Sequence, residues 1–382
     1  MTKENQLFIQ LIRLAVTGEE HLAEQIDAQS MRNDADWDHL FSLARKNHLE
    51  ALIFLALPLL HHVPQEAKKQ FHNAYLKMFA RNEQQQYWID RVQQLLQEAG
   101  IPFALLKGSI LKDSYPLPEV RYKTDIDIYI RPEDRSAIRA LLEKNGGEFQ
   151  GTESGDEQFT FSKLVGFEFH GRLLYRKTKT GIENYPDWSF VDTENNRLTE
   201  EGYALNLIGH AVGDLARCGP GIRYILDLWI YRSNHLPQPD WESVWDRLKR
   251  DGIFEAAKNL TDLAEWLFGD GQSTPLLEEL ADYILQGGLY GDSARGSAVE
   301  AALAGGKGKA FARQFFRSRK EFENRFPWLK KWPFLLPVAW IIRLFQTFRH
   351  HKKAVRHWKN RIQSVSERDI ALQQDRMRRF GL

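Results

Sequence analysis

The sequence predicts an α+β protein in which a small mixed sheet lies between N-terminal and C-terminal helical modules. Residues 1–97 and 196–303 carry apolar side chains at helical spacing, whereas residues 98–195 alternate short apolar segments with turn residues. Residues 304–382 open with a glycine-rich linker and form a basic, aromatic-rich helical tail. We expect these four ranges to be the modules of the chain, with the sheet in the second.

Composition indicates a folded protein of a reducing compartment. Of the 382 residues, 43% are hydrophobic and 27% are charged, as in globular proteins. Cys218 is the single cysteine, which excludes an internal disulfide and a multi-thiolate metal site, and we expect a cytoplasmic location. Because no basic, apolar, small-residue leader opens the sequence, we expect no secretory signal. The longest apolar uncharged run near the C-terminus, Trp332 to Ile342, has 11 residues, so we expect no transmembrane segment.

Helical periodicity covers the first 97 residues. The segment FIQLIRLAV has apolar residues at helical spacing, and Asp36 is a capping residue in front of a further helix. An apolar and aromatic stripe from Ala67 to Ala99 ends before a glycine, as long helices do. The pattern is helical again from Thr199 to about Leu289, with a break at Gly219-Pro220-Gly221.

The core alternates strands and helices. The run IPFALL predicts a buried strand, and Gly108-Ser109 opens a short helix that ends near Tyr115-Pro116. After the strand DIDIYI, RPEDRSAIRALLEKNGG predicts a helix that closes at Gly146-Gly147. QFTFSK and GFEFHGRLL predict a β-hairpin joined by Leu164-Val165-Gly166.

The strand DIDIYI carries an unusual pair of charges. Alternation places Asp125 and Asp127 on one face and the three isoleucines on the other, so two like charges lie about 6–7 Å apart along one face. Solvated sheet faces often carry acidic residues, and the pair alone is weak evidence for a site. In GFEFHGRLL the same alternation places Glu168 and His170 on one face. If this strand pairs beside DIDIYI, three carboxylates converge, and a Mg²⁺ or Mn²⁺ ion relieves their repulsion.

Upstream of this strand, the segment LLKGS has the features of an anion-binding turn. Gly108 lets the backbone approach a phosphate closely, the start of the helix favours negative charge, Ser109 adds a hydroxyl donor, and Lys107 adds a positive charge. The alternative is that Gly-Ser is only a turn and a helix cap.

The order of these features resembles a known fold. A Gly-Ser turn, an Asp-x-Asp strand about 16 residues later and one acidic residue on a following strand resemble the nucleotidyltransferases of the DNA polymerase β superfamily. The stretches LLKGSILKDSYPLPEVRYKTDIDIYI, GPGIRYILDLWIY and WLKKWPFLLPVAWIIR resemble the uncharacterised bacterial nucleotidyltransferases, and the resemblance covers most of the chain.

The resemblance implies a metal-dependent reaction. Asp125 and Asp127 would bind two metal ions, Mg²⁺ or Mn²⁺, and Glu168 would complete one metal site. Gly108 and Ser109, with Lys107 nearby, would hold the β- and γ-phosphates of a nucleoside triphosphate, for which we expect ATP. An acceptor hydroxyl would attack the α-phosphate and release pyrophosphate; the acceptor is a sugar, a lipid-linked molecule, a protein or RNA. We expect Asp127→Asn to abolish transfer and to leave thermal stability unchanged or slightly higher, since it relieves repulsion.

Two arginines are candidate nucleotide ligands, each with a structural alternative. Arg121 either clamps a phosphate or lies at the surface paired with Glu119. Arg223 lies in the first turn of a helix, where a cation opposes the helix dipole. It therefore either reaches back to the nucleotide or acceptor or pairs with Asp227.

Other side chains and motifs receive plainer interpretations. His210 and Asp214 share a helix face and predict a simple helical contact, and we interpret His170 as a support for Glu168. No GxxxxGK[ST], HExxH or GxSxG occurs, which excludes a P-loop, a zincin motif and the serine-hydrolase elbow.

Charge divides the chain in two. Residues 307–382 contain 20 Lys+Arg and 5 Asp+Glu, a net charge of +15. The rest of the chain contains 32 Lys+Arg and 46 Asp+Glu, a net charge of −14. The tail folds back on the acidic body or meets a polyanion or an anionic membrane. Its apolar patch, residues 326–342, is flanked by Lys330, Lys331 and Arg343. We favour packing of this patch within the protein, with peripheral membrane contact second.

Two further functional classes stay open beside the enzyme. A non-catalytic module of the same fold would bind nucleotide or a protein partner without chemistry. Modification of nucleic-acid ends would require the basic tail to bind a polyanion.

Overall fold

The computed structural model describes residues 1–31, 35–153, 156–162, 165–178, 181–233, 237–288, 293–316, 322, 326, 328–350 and 365–382. It confirms the α+β class, because a five-stranded mixed sheet and two small two-stranded sheets lie among many helices. Among the described helices, none combines the length and hydrophobicity that crossing a bilayer requires.

The first module is helical, as the periodicity predicts. Asp36 caps its helix by accepting a hydrogen bond from the His39 amide, and the long fifth helix ends shortly before Gly100, which has a φ of 65°. The helices are α1 (Lys3–Thr17), α2 (Glu20–Met31), α3 (Trp37–Asn47), α4 (Glu50–Phe54) and α5 (Gln65–Glu98).

The five-stranded sheet has the order β1-β2-β5-β4-β3. Strand β2 pairs antiparallel with β1 and parallel with β5, whereas β5, β4 and β3 pair antiparallel in turn. The one-turn helix α6 (Gly108–Leu111) follows β1, and α7 (Arg135–Lys144) follows β2. The strands are β1 (Phe103–Leu105), β2 (Asp125–Ile130), β3 (Glu148–Glu153), β4 (Asp156–Phe161) and β5 (Val165–His170).

Alternation along β2 separates two environments, as predicted. Ile126, Ile128 and Ile130 are fully buried and pack with four phenylalanines of β4 and β5 and with apolar residues of α5 and α7. Each such isoleucine stabilises the fold by roughly 1.5–3 kcal/mol relative to an exposed position. The opposite face carries Asp125 and Asp127. The apolar face thus anchors the strand, and the two aspartates lie partly exposed on the face away from this core.

The hairpin differs in detail from the sequence prediction. Strands β4 and β5 pair antiparallel as expected, but Val165 and Gly166 already belong to β5, so the predicted connection is wrong at these residues. Leu164 lies outside the described residues. Strand β3 was not predicted, because EFQGTE contains a glycine and four polar residues and matches neither period. Two further hairpins, also not predicted, follow: β6 (Leu174–Thr178) with β7 (Gly181–Tyr185), and β8 (Val191–Asp192) with β9 (Arg197–Leu198).

A second set of helices follows the sheet in the chain and packs with the first helical module. One continuous buried cluster joins these helices to α1, α3, α4 and α5 and includes Tyr129 of β2, so the two helical modules share a core. Helix α9 begins directly after Gly219-Pro220-Gly221, as predicted. The helices are α8 (Glu200–Leu215), α9 (Ile222–Ser233), α10 (Trp241–Arg250), α11 (Phe254–Phe268), α12 (Pro275–Gly287) and α13 (Ser293–Ala304).

The tail divides into two parts. Its last helix folds back on the body, since Arg376 and Arg379 pair with Glu279 of α12 and Phe380 is buried in the main core. The middle of the tail forms a separate small cluster of its own residues. The tail helices are α14 (Lys307–Phe315), α15 (Trp328–Lys331), α16 (Leu336–His350) and α17 (Glu367–Arg379).

A buried ion pair ties the segment before β2 to α9. Arg121 is 4% exposed, and its Nε and Nη2 donate to the two carboxylate oxygens of Asp227 at 2.7 and 2.5 Å. The Tyr115 hydroxyl donates to the same carboxylate at 2.6 Å. The expectation that Arg121 lies at the surface with Glu119 is therefore wrong; Glu119 accepts from the Tyr75 hydroxyl instead.

We expect Arg121→Met to lower the free energy of unfolding by about 3–5 kcal/mol, because Asp227 would stay buried without a cation. Urea unfolding measures the loss, and Arg121→Met combined with Asp227→Leu should recover most of it. The control Arg139→Met, which breaks an exposed pair with Glu143, should leave the urea midpoint almost unchanged. A loss below about 1 kcal/mol for Arg121→Met would contradict a stabilising role for the pair.

Candidate active site

Parallel pairing of β2 with β5 builds the centre of the site. The register sets Asp127 opposite Glu168 and Asp125 opposite Gly166. The strand GFEFHGRLL therefore does pair beside DIDIYI, as the sequence analysis required. Gly166 has a specific role here, because a Cβ at this position would lie 2.3 Å from Asp125 Oδ1. The missing side chain leaves room for the Asp125 carboxylate over β5.

Three side chains converge closely enough to share one cation. Ligand atoms of Asp127, Glu168 and His170 all lie within 4.8 Å of one another. His170 Nε2 is 2.6 Å from Asp127 Oδ1 and 3.7 Å from Glu168 Oε2. Asp125 does not belong to this group, although the charges of Glu168 and Asp127 raise its pKa. His170 thus stands in the site beside Asp127 as well as Glu168, a position that alternation along β5 had already indicated.

A fourth carboxylate orients His170. Asp156 Oδ2 lies 3.2 Å from His170 Nδ1, which turns Nε2 of the ring towards Asp127. A histidine held in this way by a second carboxylate is a common arrangement at metal centres. Gln158 Nε2 also donates to Glu168 Oε1 at 2.9 Å. Sequence reasoning gave no role to Gln158, the first residue of QFTFSK, and missed Asp156, which the same alternation extended backwards by two residues would have placed on this face.

The charges of the two aspartates are balanced differently. Burial raises the pKa of Asp125, and the negative charges of Glu168 and Asp127 raise it further. Burial also raises the pKa of Asp127, but the Lys107 ammonium, 3.1 Å away, and the hydrogen bond with His170 outweigh burial. The pKa of Asp127 consequently lies well below its usual range. The fold therefore disfavours the ionised form of Asp125 and favours the ionised form of Asp127.

This balance overturns one expectation from the sequence. Asp127→Asn was expected to leave thermal stability unchanged or higher because it relieves repulsion. Asp127 instead contacts two cationic groups, Lys107 and His170, so its removal leaves both without their main counter-charge. We therefore expect Asp127→Asn to destabilise the fold, and the relief of repulsion applies to Asp125.

The Gly-Ser turn follows β1 in a strained backbone. Lys107 has φ 48° and ψ −123°, a conformation that costs a non-glycine residue about 1–3 kcal/mol and is typical of functional sites. The Tyr203 hydroxyl donates to the Lys107 carbonyl at 3.0 Å and helps to hold it. Ser109 is 7% exposed, and the helix that it opens has only four residues. The helix dipole is therefore weaker here than the sequence suggested.

Two arginines lie behind this turn. A Cβ on Gly108 would lie 3.0 Å from Arg121 Nη1, so the guanidinium supports the turn from below. Arg223 is also 4% exposed; its Nη1 donates to the Tyr122 carbonyl at 2.9 Å, and its guanidinium lies over the Tyr122 ring. The structural alternative, a pair of Arg223 with Asp227, is therefore wrong, since the carboxylate oxygens of Asp227 bind Arg121.

Helices α8 and α9 contribute a polar, aromatic wall. His210 Nδ1 lies 3.4 Å from Asp214 Oδ2, the helical contact that the spacing predicts. The His210 ring also packs between Tyr175 of β6 and Tyr224 of α9, at centroid distances of 6.1 and 5.2 Å. Glycines on α8 admit the Tyr175 ring: a Cβ on Gly209 would lie 2.8 Å from it. Positive charge on Lys107 helps burial to lower the pKa of His210, so this wall adjoins the centre of the site.

The fold and the site together define a nucleotidyltransferase: acidic residues converge on adjacent strands beside a Gly-Ser turn. Residues 33–269 match the family model described as an uncharacterised nucleotidyltransferase, and the chain belongs to this family. Neither the comparison with curated proteins nor the comparison with solved structures gives a match.

The His170 interactions predict a pH-dependent contribution to stability. Burial lowers the pKa of His170, but hydrogen bonds with Asp127 and Asp156 raise it to about 9. A raised folded-state pKa stabilises the fold fully below the unfolded value of about 6.5, and this stability is lost as pH rises through about 9. We expect His170→Asn to cost about 1–3 kcal/mol at pH 6 and markedly less above pH 9.

Urea unfolding at a series of pH values, in the presence of a chelator, measures this difference. His21→Asn is the control, since His21 is 60% exposed and should give no trend. A His170→Asn penalty that stays constant from pH 6 to pH 10 would mean that the imidazolium does not hold the two aspartates together.

Proposed function

We propose that this protein transfers a nucleoside monophosphate from a nucleoside triphosphate to an acceptor hydroxyl and releases pyrophosphate, with a divalent cation held by Asp125, Asp127 and Glu168. The observation that carries the proposal is the register that sets Asp127 opposite Glu168 in a chain of a nucleotidyltransferase family. ATP is the first candidate for the triphosphate.

The donor set fits a divalent cation. Three ligand atoms lie within 4.8 Å of one another, and Asp125 adds a carboxylate whose pKa is raised by two negative neighbours. Carboxylate oxygens select Mg²⁺ or Mn²⁺. When bound, the cation neutralises phosphate charge and stabilises the attacking and leaving oxygens.

In the proposed mechanism the Lys107 ammonium changes its binding partner. In the structure its ammonium pairs with Asp127 Oδ1, in the place where a cation would otherwise balance the carboxylate. We propose that Lys107 moves from Asp127 to the triphosphate when the substrates bind, while the Gly108 backbone and the Ser109 hydroxyl hold the β- and γ-phosphates. A single side chain then stabilises the acidic strand before binding and the phosphates afterwards.

Arg121 and Arg223 act on the nucleotide from behind the turn. Both are 4% exposed, and Arg121 lies directly beneath Gly108. The fixed positive charge of Arg121 raises the potential at the Gly-Ser turn without a direct contact, as preorganised groups do in phosphoryl transfer. Arg223 Nε has no hydrogen-bond partner among the described residues, which leaves this nitrogen for the nucleotide or the acceptor.

The acceptor is proposed by class only: a sugar, a lipid-linked molecule, a protein or RNA. The wall of His210, Asp214, Tyr175 and Tyr224 faces the centre from the side of α8 and α9, and it offers hydroxyl and ring donors to an incoming hydroxyl group. Incubation with α-labelled triphosphates and each acceptor class, followed by product separation, identifies both substrates. We also propose a cytoplasmic location, which rests on the single Cys218.

A non-catalytic module is the competing candidate, and calorimetry separates the two. We expect titration of ATP, GTP, CTP and UTP to show one preferred nucleotide whose affinity rises at least about tenfold when Mg²⁺ or Mn²⁺ is present, because the phosphates and the carboxylates then share the cation. Equal binding with and without metal would favour a module that recognises nucleotide without chemistry.

Asp125→Asn tests the catalytic assignment against stability. We expect loss of transfer by at least about a hundredfold together with an unchanged or higher melting temperature, because the substitution removes a carboxylate whose ionised form the fold disfavours. A radiolabel transfer assay and thermal unfolding provide the two readouts. Asp246→Asn, an exposed change on α10, is the control. Retention of most activity in Asp125→Asn would remove Asp125 from the metal site.

A further inference from the structure

The middle of the tail builds a small core from its own residues. Phe322, Phe326, Leu329 and Ala339 are buried together, and the apolar side chains packed against them also belong to residues 328–342. Among the described residues, the main core of the protein contains no member of this group. Within the described part of the chain, one side of helix α16 is therefore covered by residues of the tail itself.

The other side of this segment is an uncovered apolar surface. Val338, Ile341 and Phe345 follow one another at helical spacing on α16, and Phe334 precedes them in a 3₁₀ turn, Pro333–Leu335. These four side chains, named here the outer stripe, are 44%, 65%, 66% and 69% exposed respectively. The expectation that the patch packs within the protein is therefore wrong for Phe334, Val338 and Ile341.

Charge around the outer stripe has one sign. Between Glu323 and Glu367 the sequence contains ten Lys or Arg and neither Asp nor Glu. Lys330 and Lys331 are exposed at the end of α15, directly before Trp332, which is itself 47% exposed. A contiguous apolar and aromatic stripe with lysines at its border and no acidic residue is the composition of segments that lie in the interface of an anionic bilayer.

We propose that the outer stripe docks on an anionic lipid surface, with its four apolar side chains at the boundary of headgroups and acyl chains and with Lys330 and Lys331 among the lipid phosphates. The net charge of −14 outside the tail makes the body repel the same surface, so the tail alone makes the contact and holds the body away. This inference is independent of the proposed reaction, since neither the metal site nor the Gly-Ser turn takes part.

An anionic lipid surface explains both features better than a nucleic acid or a second copy. Phosphate backbones attract lysines but give no partner to aliphatic side chains such as Val338 and Ile341. A self-complementary interface buries apolar residues but would bring the lysines of two copies together. Lipid headgroups and acyl chains supply anions and an apolar phase side by side.

Sedimentation of the full-length protein with vesicles tests the proposal. We expect the protein to pellet with vesicles of phosphatidylcholine and phosphatidylglycerol, at least about tenfold more than with phosphatidylcholine alone, and we expect about 0.5 M salt to weaken binding markedly relative to about 0.1 M. Equal recovery with both vesicle types, or none with either, overturns the proposal.

Two matched pairs of variants locate the surface. Phe334→Asn with Ile341→Asn, and separately Lys330→Glu with Lys331→Glu, should each reduce vesicle binding at least about tenfold. The controls are Leu76→Asn, at a 49% exposed position of α5, and Lys68→Glu with Lys69→Glu on the same helix. Circular dichroism shows whether each variant is folded, and light scattering gives the molecular mass and hence the oligomeric state of the wild type and of each variant.

The variants also separate the competing partners. If the controls reduce binding as much as the tail variants, the surface lies elsewhere and the proposal is overturned. A wild-type dimer that Phe334→Asn with Ile341→Asn converts to a monomer assigns the stripe to self-association and likewise overturns it. Binding of short RNA with higher affinity than the anionic vesicles, lost in the lysine variant, would assign the segment to nucleic acid.

Discussion

The parallel register between β2 and β5 is the constraint on which the site depends. It sets Asp127 beside Glu168 on one face and holds Phe167 and Phe169 with the isoleucines of β2 on the other. A slip of one residue would bury the carboxylates and expose the phenylalanines, so the hydrophobic face fixes the position of the acidic one. The energy that brings like charges together comes from apolar burial on the opposite side of the same strands.

Cationic side chains from three parts of the chain lie near the acidic face of the sheet. Lys107 arrives from the strained turn after β1, His170 from β5 itself, and Arg121 from beneath the turn. The buried bond of Arg121 to Asp227 ties the segment beneath the Gly-Ser turn to α9, so the turn and the helical wall are held together. Stability and function share these contacts, and Lys107 belongs to both because its present partner is the proposed metal ligand.

Local pattern predicted the parts of the site that depend on local geometry. Strand alternation placed Asp125, Asp127 and Glu168 correctly, since a side-chain period of two needs no knowledge of distant residues. The partner of Arg121 lies 106 residues away on α9, and no local period encodes such a contact. Asp156 escaped notice because a carboxylate at a strand end is common, and its meaning depends on the antiparallel pairing that brings it to His170. Likewise, periodicity showed that α16 is apolar but not which side the tail itself covers.

Diffraction at the manganese edge from crystals grown with Mn²⁺ and a non-hydrolysable triphosphate tests the central claim most directly. The account predicts an anomalous peak bonded to carboxylate oxygens of Asp127 and Glu168, with the Lys107 ammonium shifted from Asp127 to a phosphate oxygen. A triphosphate bound elsewhere, or Lys107 still paired with Asp127 and no anomalous peak between the two strands, would contradict it.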